Sequence, residues 1–211
     1  MTRPPSSGSK RRNRLVAHWD RQAGRAVNES WAASSRSWIC SRAVGRVLDV
    51  CIGDGGNLPH YPVDIEVTGI DFSPGMIQAA GQRARRLGRS IDLTVADIEN
   101  LPFADGWFDT VIATFALCCV PDERVALTEM NRVLKPGGNL LLADTVISTS
   151  PVLRVVERLA DLVTVPLEGH YQMRRPWPIV ESLGLTIIAS QQEHHRLIER
   201  LHAIKPDSST D

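Results

Sequence analysis

A chain of 211 residues suits one α/β domain with its own core and leaves little room for a second. Its 24 basic and 24 acidic residues cancel, which argues against the basic surface of a protein that holds long nucleic acids. The four cysteines, at 40, 51, 118 and 119, have no metal-ligand spacing, so free thiols, no bound metal and a reducing, cytoplasmic setting are expected. No apolar run is long enough to span a bilayer.

Residues 1–14 are rich in Pro, Ser and Gly, carry Lys10, Arg11, Arg12 and Arg14, and lack acids. They read as a disordered basic tail. Residues 15–43 read as a helical cap of one or two helices in which Trp19, Trp31 and Trp38 are concentrated. Tryptophans at that density pack on a core or line the mouth of a site. From Arg46 onward strands and helices alternate, which predicts a parallel sheet with helices on both faces. Strands are expected near 46–50, 65–70, 91–95, 108–114 and 138–144. The helix after Asp71 opens on a Ser73 cap with Pro74 in its first turn, and Gly88 stops it. A second helix is expected from about Asp122 to Leu134, ended by Pro136-Gly137-Gly138. A third, over 151–163, would carry a stripe of Val152, Val155, Val156, Leu159 and Leu162. After Gly184 the runs Leu185–Ser190 and Leu197–Ile204 read as a closing antiparallel hairpin. The cap and a core over 44–206 together make a single domain at 15–206, followed by a short tail at 207–211.

Two stretches carry the chemistry. Val47-Leu48-Asp49-Val50 runs into Cys51-Ile52-Gly53-Asp54-Gly55-Gly56, and a second apolar strand ends in Gly69-Ile70-Asp71. Glycines at such a turn let a ligand approach the backbone, because no Cβ intervenes. A carboxylate on the tip of the next strand, roughly 20 residues on, can accept from both hydroxyls of a ribose.

With Ala96-Asp97, Phe108-Asp109 and Leu134-Lys135-Pro136-Gly137-Gly138 following in order, the chain resembles the type-11 class I S-adenosylmethionine-dependent methyltransferases over residues 44–206. The resemblance implies a Rossmann-like, seven-stranded, mostly parallel sheet closed by an antiparallel hairpin. It implies S-adenosylmethionine as cofactor, held at the carboxyl ends of the first strands. Carried over residue by residue, Asp49 with the Gly53-Asp54-Gly55 backbone borders the methionine part. Asp71 takes the ribose, with Phe72 and Met76 near the adenine. Asp97 accepts from the adenine amino group with Ile98 against the ring. Thr114 and Phe115 lie beside the reactive sulfonium. Cys51 departs from the family's usual glycine and is expected to crowd the methionine moiety slightly.

Transfer from a sulfonium is an in-line displacement, so no nucleophile or metal motif is required. An acceptor that must lose a proton needs a base, and His170 is the candidate. Trp19, Tyr171 and Arg174 are candidate acceptor contacts. The stretch from Thr114 to Val120, with Pro59 and Tyr61, is similar to bacterial phosphatidylethanolamine N-methyltransferases and to relatives acting on quinones and thiols. A small or amphiphilic acceptor is therefore expected, with peripheral contact to a membrane open through the basic tail and the 151–163 stripe. Two other readings stand beside this one. A nicotinamide oxidoreductase shares the glycine turn, but the chain has no Tyr-x-x-x-Lys. A non-catalytic module that keeps the cofactor fold is the second.

Overall fold

The computed structural model describes residues 16–23, 30–145, 174–193 and 198–207. The basic tail, the 151–163 stripe, His170 and Tyr171 lie outside them.

Seven strands form one sheet: β1 Arg46–Val50, β2 Glu66–Asp71, β3 Asp92–Val95, β4 Phe108–Thr114, β5 Leu134–Thr145, β6 Thr186–Glu193 and β7 Ile198–Ile204. Their order is β3-β2-β1-β4-β5-β7-β6. The first five pair in parallel, and β7 runs antiparallel between β5 and β6. The helices are α1 (16–22), α2 Ser30–Cys40, α3 Pro74–Arg86, α4 Glu123–Val133 and α5 Trp177–Ser182.

The central strands read as unbroken apolar runs because both faces are covered. Alternate residues enter opposite layers. Leu48, Val111, Leu140 and Leu142 join Met130 of α4 and Val180 of α5 on one side. Val47, Ile112, Leu141 and Ala143 join Ile39 of α2 with Ala80 and Ala84 of α3 on the other.

Local chemistry sets the helix starts. The Ser73 hydroxyl accepts from the Met76 N–H at 3.1 Å, and the Asp122 carboxylate accepts from the Arg124 and Val125 N–H groups. β5 differs from expectation. It begins at Leu134, directly after α4, and contains Pro136-Gly137-Gly138. Leu134 pairs with Phe108, the register then shifts, and pairing resumes at Asn139 with Thr110. Proline offers no N–H to the ladder, and Gly137 turns away at φ 71° to donate to the Lys205 carbonyl, so the segment that follows the helix stop also makes a bulge in β5. The short helix α5, which the sequence reading did not anticipate, starts among Pro176 and Pro178 and packs Val180 into the core.

Asp109 is structural. It accepts from the Arg46 N–H at 2.8 Å and from Lys135 Nζ, tying the start of β1 to β5. Among the described residues, no helix is long and apolar enough to cross a membrane, and no cluster of three or more metal-ligating side chains exists.

Candidate active site

At the carboxyl ends of β1, β2 and β4 lies a cavity of about 380 Å³. Open parallel sheets bind ligands there, and the volume is that of a small-molecule site.

The turn after β1 supplies one wall. Gly53 has φ 57°, and a Cβ built on it would meet nothing within 4 Å, so this backbone is bare toward the cavity. Its N–H donates to Asp71 Oδ2 at 3.0 Å, while Asp71 Oδ1 accepts from the Ser73 N–H at 2.9 Å. A carboxylate has about four acceptor positions, so Asp71 keeps acceptor capacity for a ligand. Burial pushes its pKa up to about 6, against the pull of the Ser73 and Gly53 N–H groups.

Cys51 sits at φ 53°, in the left-handed region. That is the physical reason a glycine suits this position: a Cβ is strained there. The side chain lines the cavity, and burial holds the thiol well above its usual pKa.

The end of β4 and the turn beyond it supply Thr114, Phe115, Ala116, Cys119 and Val120. Phe115 is also left-handed, at φ 53°. The cap supplies His18, Trp19 and Gln22 from α1. Asp20 fastens α1 to the start of α3 by accepting from the Ser73 hydroxyl and, at 2.9 Å, from the Gly75 N–H. Trp19 Nε1 is buried and has no partner among the described residues.

Of the candidates read from sequence, Cys51, Gly53, Asp71, Phe72, Met76, Thr114, Phe115 and Trp19 converge on this cavity. Asp49, Gly55, Asp97, Ile98 and Arg174 are not on its wall. Asp49 is fully buried and engaged by protein: Tyr61 Oη donates to it at 2.8 Å, and Asn57 Nδ2 donates to both its oxygens at 3.1 Å. Burial raises its pKa to about 6, with the Tyr61 and Asn57 bonds opposing. At Gly55 a Cβ would come within 2.7 Å of Leu58, so this glycine serves packing. Asp97 Oδ1 accepts from the Glu99 N–H at 3.1 Å, and Ile98 is buried in the core. Arg174, expected as an acceptor contact, is placed by the structure behind the wall. Its guanidinium donates to the Val120 and Pro121 carbonyls at 2.7 and 3.0 Å, so it braces the loop that carries part of the wall.

Sequence reasoning missed Arg36 and Asn57. Arg36 projects from α2 into the cavity, donating to Asn57 Oδ1 at 2.9 Å with its guanidinium 5.6 Å from the Phe115 ring centre. Asn57 Nδ2 also donates to Thr114 Oγ1 at 2.8 Å. The buried Asp49 carboxylate thus reaches the cavity through Asn57, which holds both Arg36 and Thr114. Asn57 follows the glycine turn directly, a signal available in the sequence. Nothing local marks Arg36.

A family profile described as a methyltransferase domain matches residues 48–142, the stretch from β1 through most of β5. The chain is 34% identical over 150 residues to a ubiquinone/menaquinone biosynthesis C-methyltransferase, UbiE, of a Geobacter species, covering 68% of this chain and 63% of that protein. Both comparisons liken this chain to the methyltransferase-domain family. The chain is also 43% identical over 128 residues to a demethylmenaquinone methyltransferase of Staphylococcus haemolyticus, covering 59% of this chain and 53% of that one. The chain therefore spans 53% and 63% of the length of these two curated relatives. Among solved structures, the cyclase SpnF superposes with a TM-score of 0.74 at 21% identity over 97% of both chains. A SAM-dependent methyltransferase from Aquifex aeolicus superposes at 0.56 with 21% identity, over 75% of this chain and 81% of that one. These superpositions show the shared fold. That one such neighbour is named a cyclase shows that the fold alone does not fix the reaction.

Proposed function

We propose that this chain is an S-adenosylmethionine-dependent methyltransferase acting on a small, quinone-like or amphiphilic acceptor. The observation that carries this reading is the Gly53 to Asp71 bond at the cavity wall. It sets a bare peptide and a carboxylate with spare acceptor capacity side by side, at the strand ends where this family holds its cofactor. The residues fit the group. Asp71 would accept from the ribose hydroxyls, Phe72 and Met76 would cover the adenine, and the Gly53 turn with Cys51 would border the methionine part. Arg36, which lines the cavity, would meet its carboxylate. When bound, the cofactor supplies a methyl group already activated by a sulfonium.

What remains for the protein is orientation and exclusion of water. Thr114 and Phe115 shape the floor at the end of β4, and α1, fastened by Asp20, brings His18 and Trp19 over it. Trp19 lines the cavity and would pack its indole against the acceptor. His170 stays the candidate base, with Tyr171 beside it. The names of the demethylmenaquinone and ubiquinone relatives support a quinone-type acceptor.

The test is calorimetric titration with S-adenosylmethionine and with NAD, followed by incubation with labelled cofactor and lipid-soluble quinol extracts. Cofactor binding with label appearing in a quinol supports the reading. Binding of NAD alone overturns it, and cofactor binding with no transfer to any acceptor favours a non-catalytic module.

A further inference from the structure

Cys118 and Cys119 are neighbours in a short helical turn, Leu117–Cys119, and their sulfurs lie 3.6 Å apart. Cys118 is buried, while Cys119 is half-buried and lines the cavity. The turn is held from below. Asp144 Oδ2 accepts from the Leu117 N–H at 2.7 Å and the Cys118 N–H at 3.3 Å, and the Cys119 N–H donates to the Ala116 carbonyl at 2.9 Å. Both cysteines are free.

Two thiol chemistries compete for such a pair. A disulfide needs the sulfurs at about 2.05 Å, and it usually joins residues whose Cα atoms are at least roughly 4.4 Å apart. Chain neighbours have Cα atoms about 3.8 Å apart, so oxidation would strain a turn that Asp144 holds in place. Bridging asks for less. Two sulfurs bound to one pyramidal three-coordinate centre, at about 2.3 Å each and roughly 95–100° apart, lie about 3.4–3.5 Å apart, close to the 3.6 Å of the pair. Thiolates select soft centres. Among the described residues, no third protein ligand completes a metal cluster, so the centre must bring a substituent of its own.

We propose that Cys118 and Cys119 form a dithiol capture site for a soft, three-coordinate centre that carries one substituent, of which a monosubstituted trivalent arsenical is the type. Cys119 gives access from the cavity, and the substituent projects into it. In the capture step, both S–H bonds break and two sulfur–arsenic bonds form. The arsenic oxide oxygen leaves with the two protons as water, with no change of oxidation state. The site opens on the same cavity as the methyl acceptor proposed above, but capture is read by mass and needs no methyl transfer.

The experiment uses phenylarsine oxide on the full chain, read by intact mass and by mapping of the modified peptide. One probe per chain is expected, mapped to the peptide holding both cysteines, stable to a monothiol and removed by a dithiol. Cys119→Ser, at the half-buried position, should abolish stable capture, and Cys40→Ala should keep it. Peptide mapping on the unaltered protein decides the matter without any variant. A probe on Cys40 or Cys51, release by a monothiol, or no capture would overturn the proposal.

Discussion

Gly53 and Asp71, 18 residues apart in sequence, are joined by a hydrogen bond of 3.0 Å from the glycine N–H to the carboxylate Oδ2. The bond ties the turn after β1 to the tip of β2. A ligand that engages one of the two therefore meets the other already placed.

The ionised form of Asp71 is the one that accepts from two hydroxyls, and burial raises its pKa to about 6. S-adenosylmethionine affinity should rise as pH passes upward through about 6 and then level off. Asp71→Asn should flatten that dependence and weaken binding by about 1–3 kcal/mol, measured by calorimetry. Stability moves the other way. Between about pH 4 and 6 the native carboxyl keeps a proton that the unfolded chain has lost, so this group's contribution falls as pH rises through that window. The thermal midpoint of the ligand-free Asp71→Asn variant should therefore depend less on pH there.

Tyr61→Phe removes a 2.8 Å bond to the buried Asp49 carboxylate. The loss should be about 1.5–3 kcal/mol at pH 8, where Asp49 is ionised. It should shrink at pH 5, where Asp49, with its pKa raised to about 6, is protonated. Urea unfolding at the two pH values checks this.

Cys51→Gly removes a Cβ from a left-handed position, at φ 53°, on the cavity wall. The relieved strain of about 1–2 kcal/mol is partly offset by the roughly 0.5–1 kcal/mol of chain entropy that glycine costs. Stability should be equal or slightly higher, and cofactor affinity equal or tighter. Cys51→Val, β-branched at the same φ, should lower the thermal midpoint.

Gly56→Ala probes Arg36 without altering it. A Cβ there would lie 2.6 Å from the guanidinium carbon, so the side chain must leave its place beside Asn57. Cofactor affinity should fall toward that of Arg36→Met, for which a loss of about 1.5–3 kcal/mol is expected for one charge-assisted contact. Calorimetry on both variants tests this, and an unchanged dissociation constant in Arg36→Met would remove Arg36 from the site.

Much of the fold is legible residue by residue. The Ser73-Pro74 start of α3, the Asp122 cap of α4 and the apolar runs of β1, β2 and β4 are local signals, settled by neighbours within a turn or a strand. α4 ends just before Pro136-Gly137-Gly138 as read, while the second part these residues play, inside β5, is nonlocal. Their fate as a bulge depends on the Lys205 carbonyl, which arrives from the far end of the chain. The site divides the same way. Asp71 and Gly53 are marked by the strand and turn that carry them. Asp49 is marked equally well, yet Tyr61 and Asn57 fully engage it within the core.

The sequence alone determined which strands exist, where their ligand-facing ends lie and which acidic tip follows the glycine turn, because periodicity and turn chemistry act over a few residues. The tertiary structure decided which polar groups meet at the cavity. Arg36 and Thr114 are 78 positions apart and come within 3.4 Å only because α2 packs across β5, the strand paired with β4. Long-range packing, which no local pattern encodes, turns Asn57 into their common partner and Arg174 into a brace.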